Sequence, residues 1–349
     1  MILTYKIKHH RDFSDELLKA RRIAEYVVAH KPYSAKLTSK DVKQFGLKSV
    51  ISNQIIRKYG RNKNIKKVNR VNLIIPNQGI QIKEDNIIYI SSLKLNLKYQ
   101  FSGNFEKINQ IEINNEYAFV SVTIPENTEY ESEHWLGVDR NTTGHVVVAG
   151  EPDSGKVMKL GKHAQHTHNK YKNIRKRLQK QGKYRKVKQI KNRESRIVRD
   201  LNHKMSRKIV DTAKSNNSGI KLEKLKGIRK NRKHAKSFKY SLNSWSFYQL
   251  QTMIEYKAKL LGVPVSYIDP AYTSQKCSRC GHIGDRNGKN FECPACGHVD
   301  HADVNAAFNI ALSPCMSQSS AESDVLEGST GAPEAAMIRK QSTVEPHAL

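Results

Sequence analysis

Four cysteines within twenty residues constrain the fold of this chain more than any other feature. Cys277 and Cys280 form one CxxC pair, Cys293 and Cys296 form a second, and twelve residues separate the pairs. Each CxxC turn places two sulfurs on one side of an ion, and the glycine after each pair lets the backbone fold tightly around them. The spacing predicts a structural zinc site, because four protein ligands leave no coordination position open for catalysis.

Three further residues near the cysteines are potential ligands that we expect to lie outside the metal set. His282 and His298 each come two residues after a cysteine and are expected beside the metal shell or on the surface. Cys315 opens a polar segment and is expected to be an incidental thiol. A zinc ribbon alone leaves the function open, since translation, transcription and nuclease proteins all use one.

The charge of the chain predicts a polyanionic partner. Its 349 residues include 61 lysines and arginines against 32 acids, a formal net charge of +29. Nucleic acid is the expected partner, and ribosomal RNA, DNA and anionic membrane all remain open on charge alone. The chain has no run of eighteen apolar residues and begins with no secretory signal, so a cytoplasmic location is expected.

The N-terminal third contains strand, helix and then strand signals. Residues 1–8 alternate as a strand does, and residues 12–60 are polar with helical periodicity. From Val68 to about residue 130, short alternating or apolar runs predict the strands of an antiparallel barrel or sheet. A first strand that joins a later β-domain around a helical insert fits this order.

From about His134 strands alternate with helices, which is typical of an α/β layer architecture. Strand signals lie in WLGVDRN, GHVVVAGE, GIKLEKL and VPVSYIDP, and helical signals lie at 161–217, at 246–262 and from about Asp303. Residues 161–200 contain fifteen lysines or arginines against two acids. The segment 313–349, rich in Ser, Glu, Ala and Pro, is predicted to be disordered.

Three acids each lie beside an apolar element. Asp139 ends the strand HWLGVD, Glu223 lies in GIKLEKL, and Asp303 precedes VNAAFNIA. Singly, Asp139 could cap a turn and Asp303 could be a helix N-cap. Glu223 could pair with Lys221 or Lys224. Together, in so basic a domain, they predict a carboxylate cluster that needs cations to stay ionised, and two Mg²⁺ ions held there could activate water on a phosphodiester.

Five motifs in a fixed order connect the chain to a known family: GVDRN, LEKL, PAYTSQKCSRCG, CPACG and ADVNAAFNI. In these motifs the chain resembles the TnpB (OrfB) family, insertion-sequence proteins with a RuvC-like nuclease domain that are related to the type V CRISPR effectors. The specific part covers about 134–312. The resemblance implies that Asp139, Glu223 and Asp303 hold Mg²⁺ (or Mn²⁺) at the nuclease site. It places Asp303, rather than Asp300, in the DxNAA motif.

The resemblance also implies an α+β multidomain layout. The implied parts are an N-terminal wedge β-barrel (1–10 and 62–130), a helical recognition insert (11–61), an RNase H-like RuvC α/β nuclease domain (131–274 and 298–312), an inserted zinc ribbon (275–297) and a disordered tail (313–349). The ribbon would then staple the loop that delivers Asp303 to the metal site, and help to bring in the DNA strand.

The partners implied by the resemblance are a guide RNA from the transposon end and a double-stranded DNA target. Base pairing would choose the sequence, and the protein would read a short target-adjacent motif in a prokaryotic, nucleoid-associated setting. The expected activity is RNA-guided, Mg²⁺-dependent DNA cleavage. The alternative is a guide-RNA- or DNA-binding transposon protein, or a transcriptional regulator, without cleavage. All three acids are present, which favours cleavage, and a transposase that moves DNA itself fits the resemblance poorly.

Overall fold

The computed structural model describes residues 1–30, 36–62, 64–101, 104–141, 144–225, 247–316 and 338–340. The chain forms two compact units, Met1–Pro125 with Thr330–Leu349, and Glu126–Ser329. The content is mixed α and β in both, as the sequence predicts. The finer division into wedge, insert, nuclease domain and ribbon stays a prediction.

The secondary structure of the described residues consists of strands, helices and three short 3₁₀ turns. The strands are β1 (Ile2–Lys8), β2 (Leu73–Pro76), β3 (Ile80–Lys83), β4 (Ile87–Ile90), β5 (Leu95–Lys98), β6 (Lys107–Ile113), β7 (Tyr117–Thr123), β8 (Trp135–Arg140), β9 (Val147–Glu151), β10 (Lys156–Leu160), β11 (Gly219–Glu223), β12 (Val265–Ile268), β13 (Asp285–Asn287), β14 (Asn290–Glu292), β15 (Val299–His301) and β16 (Ile338–Lys340). The helices are α1 (Ser14–Ala29), α2 (Ser49–Arg61), α3 (Lys162–Lys180), α4 (Tyr184–Ser215), α5 (Phe247–Leu261) and α6 (Ala302–Leu312). The 3₁₀ turns are Lys43–Phe45, Asn77–Gly79 and Ser91–Leu93.

The first unit contains a five-stranded sheet, in the order β16-β1-β7-β6-β2, and a three-stranded sheet, β3-β4-β5. In β1, Leu3, Tyr5 and Ile7 are buried and alternate with more exposed neighbours, as expected for a strand with one face on a core. Within the described residues the larger ladder ends at β16 and β2, so the pairings give a sheet and the barrel stays a prediction. In the tail predicted to be disordered, β16 pairs with β1, whereas 317–337 and 341–349 lie outside the described residues.

Helices α1 and α2 follow β1 in the chain and each buries one apolar stripe. In α1 the buried residues Ala20, Ile23, Ala24 and Val27 recur every three or four positions, which places them on one face. Helix α2 buries a similar stripe and packs against α1 and β2. The segment predicted as a helical recognition insert is therefore helical, and its role in recognition stays a prediction.

The second unit is built on a five-stranded sheet in the order β10-β9-β8-β11-β12. Strands β8, β9 and β10 are antiparallel neighbours, whereas β11 joins β8 in parallel and β12 joins β11 in parallel. All five residues of β9 and of β11 are buried. Such continuous burial indicates that both faces of the central strands are covered.

Different helices cover the two faces of this sheet. On one face, alternate residues of β8, β9 and β11 form a core with α3, α4 and α5. On the other face, Val148 packs against Val304 and Ala307 of α6. Because successive side chains of a strand point to opposite faces, Val148 faces away from Val147 and Ala149, which belong to the first core.

A pair of glycines seats α6 on the sheet. Gly137 of β8 and Gly150 of β9 are register partners in the ladder. A Cβ atom on Gly137 would lie 2.0 Å from the carbonyl oxygen of Ala307, and one on Gly150 would lie 2.8 Å from the Phe308 ring. The helix backbone thus rests directly on the strands, which fixes where the first turn of α6 lies relative to the end of β8.

Gly137→Ala is therefore expected to destabilise the second unit. The new methyl group meets helix backbone, which cannot rotate away, so we expect the free energy of unfolding to fall by about 3 kcal/mol in urea denaturation. Gly155→Ala is the matched control: its φ of +66° is unfavourable for alanine, but no atom lies within 4 Å. Its cost should be about 1 kcal/mol, and an equal loss in both variants would contradict the close seating of α6.

The basic stretch predicted to be helical forms α3 and α4. Gly182, with φ of +66°, lies between them and allows the sharp turn. Glu194 of α4 accepts hydrogen bonds from Arg175 and His168 of α3 and holds the two helices together. No helix of the described residues is long and apolar enough to cross a membrane.

Candidate functional site

The four cysteines predicted to bind zinc lie together in the second unit. Their Sγ atoms are all within 4.8 Å of one another. The Sγ–Sγ distance is 3.7 Å between Cys277 and Cys296, and 3.5 Å between Cys280 and Cys293. A zinc ion with four bonds of about 2.3 Å places its sulfurs roughly 3.8 Å apart, so the set fits the ion. All five cysteines are free of disulfides.

The two CxxC turns have the same backbone structure. The N–H of Gly281 donates to the carbonyl of Cys277, and the N–H of Gly297 donates to the carbonyl of Cys293, each at 2.9 Å. Both glycines have positive φ, +77° and +66°, which explains why glycine follows each pair.

His282 and His298 lie outside the metal set. The only group of three or more potential metal ligands in the described part of the chain consists of the four cysteines. His282 is exposed, and Nε2 of His298 lies 3.8 Å from Oδ2 of Asp300. Cys315 is exposed and also stands apart from the set.

The cysteines staple a three-stranded sheet, β13-β14-β15, that leads directly into α6. Cys277, Cys293 and Phe291 form a small core with Ala302, which is the first residue of α6. Strand β15 ends at His301, so no linker separates the ribbon from the helix. The position of the first turn of α6 is thus tied to the metal-binding turns.

Asp139 and Glu223 lie at the carboxyl ends of two adjacent parallel strands. The last register pair between β8 and β11 joins Val138 to Leu222, and each strand carries its acid one residue later. Both side chains are largely buried, at 9% exposure each. The carboxyl ends of parallel strands are where sites gather in α/β sheets.

Asp303 lies in the first turn of α6 and is 1% exposed. Its backbone N–H donates to Nδ1 of His301, the residue before the helix, at 3.3 Å. Asp300 is only half-buried, and its carboxylate accepts from the N–H of His301 at 2.6 Å. Asp300 therefore serves the local turn.

Asp139 interacts electrostatically with both of the other acids. Burial raises the pKa of Asp139 to about 7, with further contributions from the negative charges of Glu223 and Asp303. Burial also raises the pKa of Glu223, against a hydrogen bond from Thr273 that lowers it. Carboxylates that resist ionisation in this way are stabilised by cations. The carboxylate at the end of β8 is thus influenced by the acid at the end of β11 and by the acid at the start of α6.

Asp139→Asn is expected to stabilise the chain at high pH when no divalent cation is added. Since the pKa of Asp139 is raised from 3.8 to about 7, the folded state binds the extra proton between these values. Stability present at pH 4 is then lost as pH rises through 7. At pH 8 the free energy of unfolding of the variant should exceed that of the wild type by on the order of 2–4 kcal/mol. At pH 4 the two values should differ little. Urea unfolding of the zinc-loaded chain measures this, and a difference independent of pH would contradict it.

Two side chains that the sequence reasoning missed hold Glu223 in place. The Thr273 hydroxyl donates to the Glu223 carboxylate at 2.6 Å. Arg140, next to Asp139 and buried, donates through Nη2 to the backbone carbonyl of Glu223 at 2.5 Å and through Nη1 to Gln251 at 2.8 Å. The arginine in GVDRN could have been singled out as a buried charge beside an acid.

Lys221 binds α6 through its ammonium group. Its Nζ donates to the carbonyls of Ala311 and Ser313, at 2.8 and 2.7 Å, and so binds the end of the helix. The sequence could not reveal this partner, which lies 90 residues away.

Two asparagines of α6 attach the helix to the first cysteine turn. Asn305 accepts from the N–H of Ser278 at 2.9 Å and donates to the carbonyl of Lys276 at 2.7 Å. Asn309, one turn later, donates to the carbonyls of Thr273 and Lys276. The spacing of four residues puts both amides on one helix face. The two asparagines of DVNAAFNI therefore hold α6 against the ribbon through hydrogen bonds to its backbone.

The ribbon also contacts Asp303 with two cations. Nη2 of Arg286, on β13, lies 3.1 Å from Oδ1, and Nζ of Lys289, in the turn before β14, lies 2.5 Å from Oδ2. Within the described residues, the oxygens of the three acids do not all lie within 4.8 Å of one another as the four sulfurs do.

The chemistry of the acids nevertheless fits a divalent cation. Carboxylate oxygens are the ligands that Mg²⁺ and Mn²⁺ prefer. Burial, and after it the charges of Glu223 and Asp303, raise the pKa of Asp139, so a bound cation would favour its ionised form. Asp139, Glu223 and Asp303 are thus the residues that could hold such an ion, on a mixed α/β sheet beside a four-cysteine ribbon.

The chain is similar to known proteins in both sequence and fold. The family model for the Cas12f1-like TNB domain matches residues 247–310, which include the ribbon and most of α6. A TnpB-like protein of Methanocaldococcus jannaschii is 34% identical over 237 residues, 66% of this chain and 75% of that protein. A CRISPR-associated endodeoxyribonuclease Cas12f1 of Sulfoacidibacillus thermotolerans is 44% identical over 138 residues, 38% of this chain. That match spans 31% of the length of the Cas12f1 relative.

A solved structure of a Cas12f1–sgRNA–target DNA complex shares the fold, with a TM-score of 0.59 at 16% identity. The match covers 86% of this chain and 82% of that one. The fold, the four-cysteine cluster and the placement of the acids define the class: an α/β protein with acids at parallel strand ends and a ribbon directly before helix α6. The chain belongs to the TnpB family of RuvC-type nucleases, which is related to the type V CRISPR effectors.

Proposed function

We propose that the protein is an RNA-guided, Mg²⁺-dependent DNA endonuclease encoded by an insertion sequence. The observation that carries the proposal is the position of Asp139 and Glu223 at adjacent parallel strand ends with Asp303 near enough to act on Asp139: burial raises the pKa of Asp139 to about 7, and the negative charges of Glu223 and Asp303 add to this effect. These three acids are the proposed catalytic residues, and they cut DNA beside a short target-adjacent motif. The names of the relatives support cleavage, since the Cas12f1 relative is named an endodeoxyribonuclease.

The protein's own residues prepare the site. Mg²⁺ (or Mn²⁺) held by the three carboxylates would activate a water molecule and stabilise the leaving oxygen of a phosphodiester. Thr273 orients the Glu223 carboxylate, and Arg140 fixes the backbone at the end of β11. Helix α6, seated on the glycine pair, brings Asp303 to the strand ends and shields it from solvent.

Zinc has a structural role in this proposal. Cys277, Cys280, Cys293 and Cys296 would fill its four coordination positions and leave none for water. The bound ion would fix the loop that holds α6, because Asn305 and Asn309 bind the carbonyl of Lys276 beside the first turn.

The proposed partners are a guide RNA from the transposon end and a double-stranded DNA target. The Cas12f1 of the solved complex is bound to an sgRNA and target DNA. In this chain, the net charge of +29 suits a duplex held by its backbone. Helices α3 and α4 contain most of the basic stretch 161–200 and would contribute to that surface.

The test is to express the gene with its flanking DNA, purify the protein and sequence the RNA that accompanies it. A discrete RNA that ends at the element boundary is expected, and it supplies a target for cleavage with Mg²⁺ or Mn²⁺. Random host RNA alone would contradict a guide.

One observation favours a second candidate, a guided DNA-binding regulator that does not cut. The oxygens of Asp303 are bound by Arg286 and Lys289. A guided target that is bound but left intact with either metal ion would support the regulator and contradict the nuclease.

A further inference from the structure

Each oxygen of Asp303 has its own cation. The Arg286 guanidinium contacts Oδ1 at 3.1 Å and the Lys289 ammonium contacts Oδ2 at 2.5 Å. Both cations come from the β13–β14 hairpin, in which Asn287 pairs with Asn290 across a two-residue turn. Because each carboxylate oxygen already has a cationic partner, a metal ion that approaches either oxygen meets a bound positive charge.

The two sides of this contact differ in how firmly the fold holds them. Asp303 is 1% exposed, is held through its backbone N–H by His301, and lies on a helix seated on glycine. The side chains of Arg286 and Lys289 are 31% and 35% exposed and extend on long flexible stems. Opening of this contact would therefore require movement of the two cationic side chains and not of the carboxylate.

We propose that Arg286 and Lys289 form a latch that must release Asp303 before a divalent cation can bind to it. The phosphodiester backbone of the entering nucleic acid strand is the ligand that draws the two cations away. The proposal rests on the proposed function, because it takes Asp303 as a metal ligand. It goes further in making metal binding depend on substrate, so that the site without nucleic acid is held inactive by the ribbon.

The chemistry of both exchanges is favourable. A guanidinium pairs with two phosphate oxygens as well as it does with a carboxylate, and an ammonium binds phosphate as a point charge. Metal and latch compete for the same oxygens, so each weakens the other. By linkage, phosphate that removes the latch must strengthen metal binding by the same factor by which metal strengthens phosphate binding.

The test is a titration of the zinc-loaded full chain with Mn²⁺, with free Mn²⁺ followed by electron paramagnetic resonance and no guide or target present. The double variant R286Q/K289Q should bind Mn²⁺ about tenfold more tightly than the wild type. The matched control is K276Q/R279Q, which removes the same charge from exposed ribbon residues; it should stay close to the wild type. The charge-preserving variant R286K/K289R should also bind Mn²⁺ with an affinity close to that of the wild type.

A second arm adds a short single-stranded DNA oligonucleotide as the phosphodiester probe. It should tighten Mn²⁺ binding to the wild type by about tenfold and leave the binding to R286Q/K289Q unchanged. The zinc content and thermal unfolding of every variant are measured alongside. If R286Q/K289Q fails to fold, the oligonucleotide arm on the wild type and R286K/K289R still decides.

The outcomes separate the latch from the nuclease site. Adding Asp303→Asn to R286Q/K289Q should remove the gained affinity. Equal Mn²⁺ affinities in the wild type and R286Q/K289Q, both dependent on Asp303, would overturn the latch and leave the metal site intact. Mn²⁺ binding that is independent of Asp303 in every variant, with and without the oligonucleotide, would overturn the metal site itself. An equal gain of Mn²⁺ affinity in K276Q/R279Q would mean that any loss of positive charge from the ribbon has this effect, and it would also overturn the latch.

Discussion

Asp303→Asn is expected to lower guided DNA cleavage by about a thousandfold, while the affinity for guide RNA stays unchanged. Asparagine keeps the size of the side chain and its place in the first turn of α6, but it removes the charge that would bind a divalent cation. Losing several kcal/mol of charge stabilisation in the transition state corresponds to a factor of this size. Cleavage of a labelled duplex by guide-loaded protein measures the first quantity, and filter binding of the RNA measures the second.

Asp300→Asn is the matched control for this prediction. Asp300 lies three residues earlier in β15, is half-buried, and accepts a hydrogen bond from the N–H of His301. Its loss should weaken the turn slightly and leave cleavage within about threefold of the wild type. Abolished cleavage in Asp300→Asn, together with retained cleavage in Asp303→Asn, would show that the third acid is assigned to the wrong residue.

Local patterns made some parts of this molecule predictable. The cysteine cluster could be predicted because a CxxC turn requires only five neighbouring residues, and the four sulfurs do lie together. Asp139 could be placed at a strand end because an apolar run stops there. Each of these signals is contained in a few neighbouring residues, so it does not depend on how distant parts of the chain pack together.

Contacts between residues far apart in the chain could not be predicted from local sequence patterns. Nothing near Lys221 in the sequence shows that its ammonium binds the carbonyls of Ala311 and Ser313; locally, Glu223 is only one acid with which it could pair. The glycine pair that seats α6 consists of Gly137 and Gly150, which become neighbours only when β8 and β9 pair. The two cations on Asp303 depend on how the ribbon hairpin folds back over α6. Such contacts arise from packing, which periodicity does not report.

Cys293→Ser is expected to lower cleavage by about 10- to 100-fold without any change in the three acids. Serine is a poor zinc ligand, so the chain should lose bound zinc, and the ribbon should lose the folding free energy that the metal supplies. Cys293 packs with Phe291 and with Ala302, the first residue of α6. Loosening that core frees Ala302, so the effect reaches Asp303 through the adjacent residue of the chain. Zinc content by mass spectrometry and duplex cleavage are measured on the same preparation.

Two further variants decide whether zinc acts through the position of α6. Cys315→Ser removes an exposed thiol outside the metal set, and zinc content and cleavage should both remain unchanged. Asn305→Ala keeps all four cysteines but removes the side chain that binds Ser278 and Lys276. It should keep zinc and still lower cleavage, because one of the two amide contacts that hold α6 against the intact ribbon is lost and Asn309 alone remains bound to Lys276. Full cleavage by Asn305→Ala would mean that the Asn305 contacts do not transmit the effect of zinc. Full cleavage by Cys293→Ser in a preparation that has lost its zinc would remove the stapling role altogether.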